Sequence, residues 1–251
     1  MSHRYVTAPG YVAAADLGPA TVIVNYRTGA VETLIGPAAR WWAKLAATGD
    51  PDTPTALDSA SVRILLGQLY AAGLIVPIRR RRPSPAPVAG PRWIPSWGTQ
   101  ELAAGYVEPP RVSLGTTVRA GLALAVVLGV LALGRKRTRM ARLTRLLTWA
   151  TRYTTRAATT EHARQTVHAV RRAGLLMPGR VACLEESAAV TLALAVSRHR
   201  VTWCHGAAAD PVRLHAWVET GNRQPVAEPP STLRCAVLRA IPARDHGGEN
   251  D

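Results

Sequence analysis

Apolar positions recur at two different periods, and the period changes along the chain. Before residue 35 they fall in short runs of strand formers: Tyr11–Ala14, Thr21–Asn25 (TVIVN) and Val31–Leu34, with the turn-like Arg27-Thr28-Gly29-Ala30 between the last two. From Gly36 the spacing turns helical. The stretch GPAARWWAKLAATGD places Pro37 in a first turn and Gly49 near the end, the usual asymmetry of helix termini. A further helix is expected from Ser59 or Ser61, with Val62, Leu65, Leu66 and Leu69 on one face and a stop at Gly73. Three strands with three helices in residues 1–80 predict a small winged-helix-like module.

Beyond it, IRRRRPSPAPVAGPRWIPSWG runs the arginines at 79–82 into a proline-dense stretch, the composition of a semi-stiff spacer, so a linker is expected over 81–104. The part from 105 to 251 is helical first and strand-rich last. Helices are expected at about 112–134, 138–157 and 160–174 and from Cys183 to about Ser197. Strands are expected at Val201–Cys204, Val212–Glu219, Arg223–Ala227 and Thr232–Leu238. The fold class is α+β in two domains. The apolar run Ala120–Gly134 (AGLALAVVLGVLALG) falls short of the ~20 residues that span a bilayer and fits a buried core helix better. Its basic flank RKRTR at 135–139 keeps contact with a membrane surface as a subordinate reading.

Charge changes the picture once it is located. The chain carries a net +15, yet residues 1–78 balance five basic groups against five acidic ones, so the whole excess lies beyond them. The neutral first part is a poor phosphate binder, which argues against nucleic acid as the partner. Cys183, Cys204 and Cys235 are odd in number and widely spaced, with no C-x-x-C pair, which argues against both a disulfide framework and a structural zinc site. No metal or cofactor is expected. The N-terminal MSHRYVTAPGYVAAADLG lacks an apolar core of signal-peptide length, and with the thiol pattern this points to a reducing cytoplasm.

One thiol is placed for chemistry. Cys183 opens an alanine-rich helix just after the Met-Pro-Gly break at 177–179, where the helix dipole and unpaired N–H groups favour a thiolate. A base is supplied by His215, the histidine set inside the alternating strand VRLHAWVET. Glu219 shares its strand face but is separated from it by roughly 13 Å of extended chain. A two-residue hairpin at Gly221-Asn222 would pair Thr220 with Arg223 and bring Glu228 opposite His215, at the ~5 Å Cβ spacing a carboxylate can bridge. Pro225 in the return strand allows that register to slip by one. Spacing thus nominates Cys183, His215 and Glu228 as nucleophile, base and orienting acid, with Asp210 as the rival acid. Cys204 and Cys235 read as core, His199 and His205 as loop or helix-end residues, and Trp217 as a structural ring beside the site. Glu185 and Glu186 read as charges complementing the helix N-terminus.

The segments ACLEESAAV, LHAWVET and VAEPP together resemble the leader peptidases of lasso-peptide biosynthesis, over about residues 110–240. The resemblance implies a transglutaminase-like, papain-like cysteine-protease fold with a Cys-His-Asp triad, of which Cys183 and His215 match the first two members. The third departs from the pattern, since Glu228 stands where the family has Asp. The first part resembles the PqqD-like precursor-recognition element of ribosomally made peptide pathways, fused here to the peptidase. That resemblance implies a leader docked as an extra strand along Val31, Glu32, Thr33 and Leu34, faced by Arg63, Gly67 and Tyr70 of the following helix. The implied partners are a lasso precursor peptide and a separate ATP-dependent lasso cyclase. Two rival functions remain at this stage: a winged-helix nucleic-acid-binding protein without hydrolysis, and a transglutaminase-type acyl transferase that uses the same thiol with an amine acceptor.

Overall fold

The computed structural model describes residues 5–91, 112–177, 179–209 and 212–244. The chain divides into two compact units, Met1–Pro95 with the short segments Ala207–Arg213 and Cys235–Leu238, and Ser96–Gly206 with Leu214–Arg234 and Arg239–Asp251.

The first unit is a mixed layer of strands and helices. Its strands are β1 (Tyr5–Thr7), β2 (Val12–Asp16), β3 (Ala20–Asn25), β4 (Val31–Ile35), β5 (Val76–Ile78) and β6 (Val88–Ala89), and its helices α1 (Gly36–Thr48) and α2 (Ser59–Ala71). A sheet runs in the order β4-β3-β2-β6, antiparallel except for β6 against β2, while β1 and β5 pair separately. The β3–β4 turn closes because Asn25 Oδ1 accepts from the N–H groups of Arg27 and Thr28, and Gly29 supplies a φ of 83° that a side chain would resist. Trp41, Trp42 and Leu45 of α1 pack with Ile23, Leu34, Leu69 and Leu74 into one core. Asp58 caps α2 by accepting from the N–H groups of Ala60 and Ser61.

Two expectations for this unit are corrected. Among the described residues up to 91 there are two α-helices rather than three. The stretch between α1 and α2 holds Pro51 and Pro54, which deny it the i→i−4 bonds of a helix. Nor does the chain leave the unit at 81. Arg81 Nε donates to the Thr48 carbonyl at 2.8 Å, Ser84 Oγ accepts from Ala8 N–H at 2.8 Å, and β6 adds to the sheet. Gly49, at φ 69°, ends α1 where a Cβ would sit 2.7 Å from the Arg82 carbonyl oxygen. The remainder of the expected linker, 92–104, lies outside the described residues.

The second unit carries α3 (Leu114–Ala132), α4 (Arg139–Thr151), β7 (Arg156–Ala157), α5 (Thr160–Gly174), α6 (Cys183–Val196) and β8 (His199–Arg200). After them come β9 (Thr202–Ala209), β10 (Val212–Glu219) and β11 (Ala236–Ile241), which form a sheet in the order β10-β9-β11. Helix α6 is buried from Ser187 to Ala195. Its alanines present little side chain, so α3, α4 and α5 all pack against it.

Three expected elements come out differently. Arg223–Ala227 is not a strand; it makes a single bridge, Glu219 to Pro225, because Pro225 has no N–H to extend a ladder. Pro230–Arg234 is a 3₁₀ turn, so the final strand starts at Ala236 instead of Thr232. Helix α4 stops at Thr151 rather than 157, and Arg156–Ala157 pairs in parallel with β8.

Candidate active site

Cys183 is the first residue of α6 and partly exposed, following Ala182 in extended backbone at φ −98°, ψ 173°. Two side chains fix this turn. Glu185 reaches back to accept from Ala182 N–H at 3.1 Å. Ser187 Oγ donates to the Cys183 carbonyl at 2.7 Å and accepts from Trp203 Nε1 at 3.0 Å, which ties the cysteine's own backbone to β9. The sulfur therefore sits on a rigid helix start whose macrodipole is positive.

His215 lies on β10, half-buried, with its ring nearly parallel to that of Trp217 at 5.8 Å. Its Nε2 is 2.7 Å from Glu228 Oε2, and the Cys183 thiol is among the groups that act on the protonation of the ring. With Nε2 taken by the carboxylate, Nδ1 is the nitrogen left for the thiol. Burial pushes the imidazole down, but the Cys183 thiol, the hydrogen bond to Glu228 and the charge of Glu228 overcome it and raise the pKa to about 9.

Glu228 reaches His215 by a route other than a regular ladder. The return chain pairs Glu219 with Pro225, Val226 N–H donates to the Val218 carbonyl at 3.0 Å, and the register is thus one residue away from the one that sets 228 opposite 215. Arg223 and Ala227 both adopt left-handed backbone, at φ 58° and 54°. The turn at Ala227 redirects the chain and delivers the Glu228 carboxylate to His215. Left-handed backbone at an alanine costs about 1–2 kcal/mol, so something must hold it.

Arg171 of α5 does so, and no sequence pattern had singled it out. Its Nη1 donates to the Ala227 carbonyl at 3.0 Å, its Nη2 to Glu228 Oε1 at 3.0 Å and its Nε to Glu186 Oε1 at 2.7 Å. One planar guanidinium thereby bridges α6, the strained turn and the acid, a task a point-charge ammonium cannot perform. Glu186 stands in the first turn of α6 as expected and is in addition the partner of Arg171. Burial raises its pKa, the nearby guanidinium lowers it and Glu228 raises it again, with a net upward shift. The one available signal for Arg171 was a charged residue four after Val167 and three before Gly174, on the apolar stripe of α5.

The other sulfur–imidazole neighbours are buried. Cys204 on β9 is fully enclosed, its thiol pushed strongly up by burial and by Glu219. His205, expected in a loop or at a helix end, is on β9 and 7% exposed; burial and the charge of His215 push its pKa down to about 4. Glu219 accepts from Trp217 Nε1 at 2.8 Å and from Arg244. Asp210 lies outside the described residues. No cluster of three or more His, Cys, Asp or Glu suited to a metal ion occurs among the described residues.

In the first unit, β4 is the terminal strand of its sheet, and Val31, Thr33, Arg63, Gly67 and Tyr70 are exposed, with Glu32 partly so. Leu34 is buried in the core.

Residues 125–239 match the Transglutaminase-like superfamily. This transglutaminase-like domain contains Arg171, Cys183, Glu186, His215 and Glu228 and leaves residues 1–124 outside the match. The match suggests a cysteine-protease-like or acyltransferase-like fold, and members of the superfamily are typically cysteine-based enzymes. No curated protein and no solved structure matches the chain.

Proposed function

We propose that the protein is a cytoplasmic leader peptidase that cuts the leader from a ribosomally made lasso-peptide precursor before a separate ATP-dependent cyclase acts on the core. The observation that carries the reading is His215, held at 2.7 Å by Glu228 while the Cys183 thiol acts on the protonation of the same ring. The thiol proton passes to His215 Nδ1 and the thiolate attacks the carbonyl of the last leader residue. The imidazolium then protonates the departing amine of the core, leaving a leader thioester. Water, deprotonated by His215, releases the leader as a carboxylic acid and returns the thiol. N–H groups of the first turn of α6 suit the developing oxyanion.

Capture of the leader is assigned to the first unit. The edge strand β4 offers main-chain groups for strand addition, with Val31, Glu32 and Thr33 on it and Arg63, Gly67 and Tyr70 on α2 as contacts. The side chain of Leu34 is buried in the core, so at that position the strand offers the leader its main chain. Only Leu69 of α2 is fully buried, so this helix keeps apolar side chains, Ile64 among them at 63% exposure, for a partner. Tethering capture to cleavage raises the local concentration of the scissile bond, typically into the mM range.

The test is cleavage of a lasso-type precursor peptide that carries its leader. Cys183→Ala is expected to abolish cleavage while leaving leader binding intact, and cleavage at the wild-type rate would refute the assignment. Product masses separate hydrolysis from acyl transfer, since the leader leaves as a free acid in the first and as a new amide in the second.

A further inference from the structure

Helix α3 packs inward through Ala120, Ala123, Leu124 and Val127 and leaves a second apolar stripe outside. Leu114, Val118, Leu122 and Val126 follow one another at four-residue spacing and are between 48% and 80% exposed. With Trp149 of α4 and Val196 of α6 they line an apolar groove of about 640 Å³. A continuous exposed aliphatic face of this kind is uncommon on a protein surface that meets only water.

The rim of this face has one sign of charge. Between residues 112 and 160 the chain carries nine arginines and lysines and not one carboxylate. Arg135, Lys136, Arg137 and Arg139 are exposed where α3 ends and α4 begins. Arg145 and Arg152 flank Trp149 on the exposed face of α4, and the Tyr153 ring meets Trp149 edge-on at 5.4 Å. Docking to another protein favours a rim of mixed polarity with hydrogen-bond donors and acceptors. Aliphatic side chains ringed by arginine, tryptophan and tyrosine without any acid suit a plane of anionic headgroups over acyl chains.

We propose that the outer face of α3 and α4 seats this unit on an anionic lipid bilayer. The helix lies along the interface instead of crossing it, because its inner stripe is committed to α4, α5 and α6. Leu122 and Val126 enter the headgroup boundary, Trp149 and Tyr153 sit at its polar edge, and the basic residues pair with lipid phosphates. Surface attachment would confine cleavage to the membrane plane, a regulation separate from the Cys183 chemistry.

Co-sedimentation of the full chain with vesicles tests this. Binding is expected to equimolar phosphatidylglycerol–phosphatidylcholine vesicles, weak or absent to phosphatidylcholine alone, and weakened by salt. Leu122→Asp, at an exposed position, is expected to abolish it, and Arg137→Gln with Arg139→Gln to lower the partition coefficient on the order of tenfold. Protection of Cys204 and Cys235 from iodoacetamide, unchanged in these variants, shows that they fold. Failure to sediment with anionic vesicles, equal sedimentation of Leu122→Asp, or equal binding to neutral vesicles overturns the proposal. So does a wild-type dimer that Leu122→Asp makes monomeric without lipid binding, which would assign the face to a second copy.

Discussion

Two cysteines in this protein have a histidine, a carboxylate and an arginine close by in the chain or in space, but the arrangements differ. Around Cys183 stand His215, Glu228 and Arg171; Cys204 meets Glu219 and Arg244, while His205, next along β9, faces the opposite side of the strand. In the first, the sulfur is partly exposed at a helix start, and two partners hold the imidazole's pKa up at about 9. In the second, burial sends the thiol strongly up and the imidazole down to about 4, and the carboxylate is spent on Trp217 and Arg244. Residue type does not separate a reactive site from a structural one. Position on the element, access and the partner of each nitrogen do.

Alkylation should break this symmetry most sharply. Iodoacetamide under native conditions is expected to modify Cys183 at least a hundredfold faster than Cys204 or Cys235, because only Cys183 is partly exposed while the other two are buried. Peptide mapping after short exposure checks it. Comparable labelling of Cys204 would mean that the enclosed site opens readily.

The acid comes next. Glu228→Gln keeps the size of the side chain and removes its charge, so the imidazolium loses part of what holds it above its usual range. The alkaline limb of kcat/KM, expected near pH 9 for the wild type, should move to lower pH, and turnover should fall on the order of a hundredfold. An unmoved limb would leave Glu228 without influence on His215.

How this acid was reached in the sequence shows what patterns carry. Helix α5 and strand β10 were legible to the residue, because long periodic segments fix their own ends: Thr160–Gly174 and Val212–Glu219 stand as the spacing has them. The pairing of His215 with Glu228 rested on a hairpin register that the chain does not have. The contact arises from a left-handed alanine held by an arginine 56 residues earlier, and no local spacing encodes that. His205 was misplaced for a related reason: Gly206 and the alanines after it have poor strand propensity, while their burial in the sheet decides the outcome. The edge position of β4 came only with the family resemblance, and the burial of Leu34 within it required the core to be seen.

A smaller effect sharpens the role of Arg171. Arg171→Lys preserves the charge but cannot donate to Glu186, Glu228 and the Ala227 carbonyl together. A fall in kcat of about tenfold with KM little changed is expected, because the acid loses its orientation while the substrate contacts stay. Equal losses in kcat/KM and in thermal stability across the pH range would point to a packing role alone.

The smallest effect contrasts the two imidazoles through stability. His215 has a folded pKa raised to about 9, so its contribution is complete below its unfolded value near 6.5 and drains away as pH rises through 9. His205 is depressed to about 4, so the unfolded chain takes up the proton first, and stability is lost as pH falls from 6.5 towards 4. Melting temperatures should therefore decline on both sides of neutrality for different reasons. His215→Ala is expected to flatten the alkaline decline and leave the acid one, whereas His205→Gln should flatten the acid decline alone. If both substitutions flatten the same side, the two rings share one protonation equilibrium, and the separation between reactive and enclosed neighbourhoods fails at its electrostatic root.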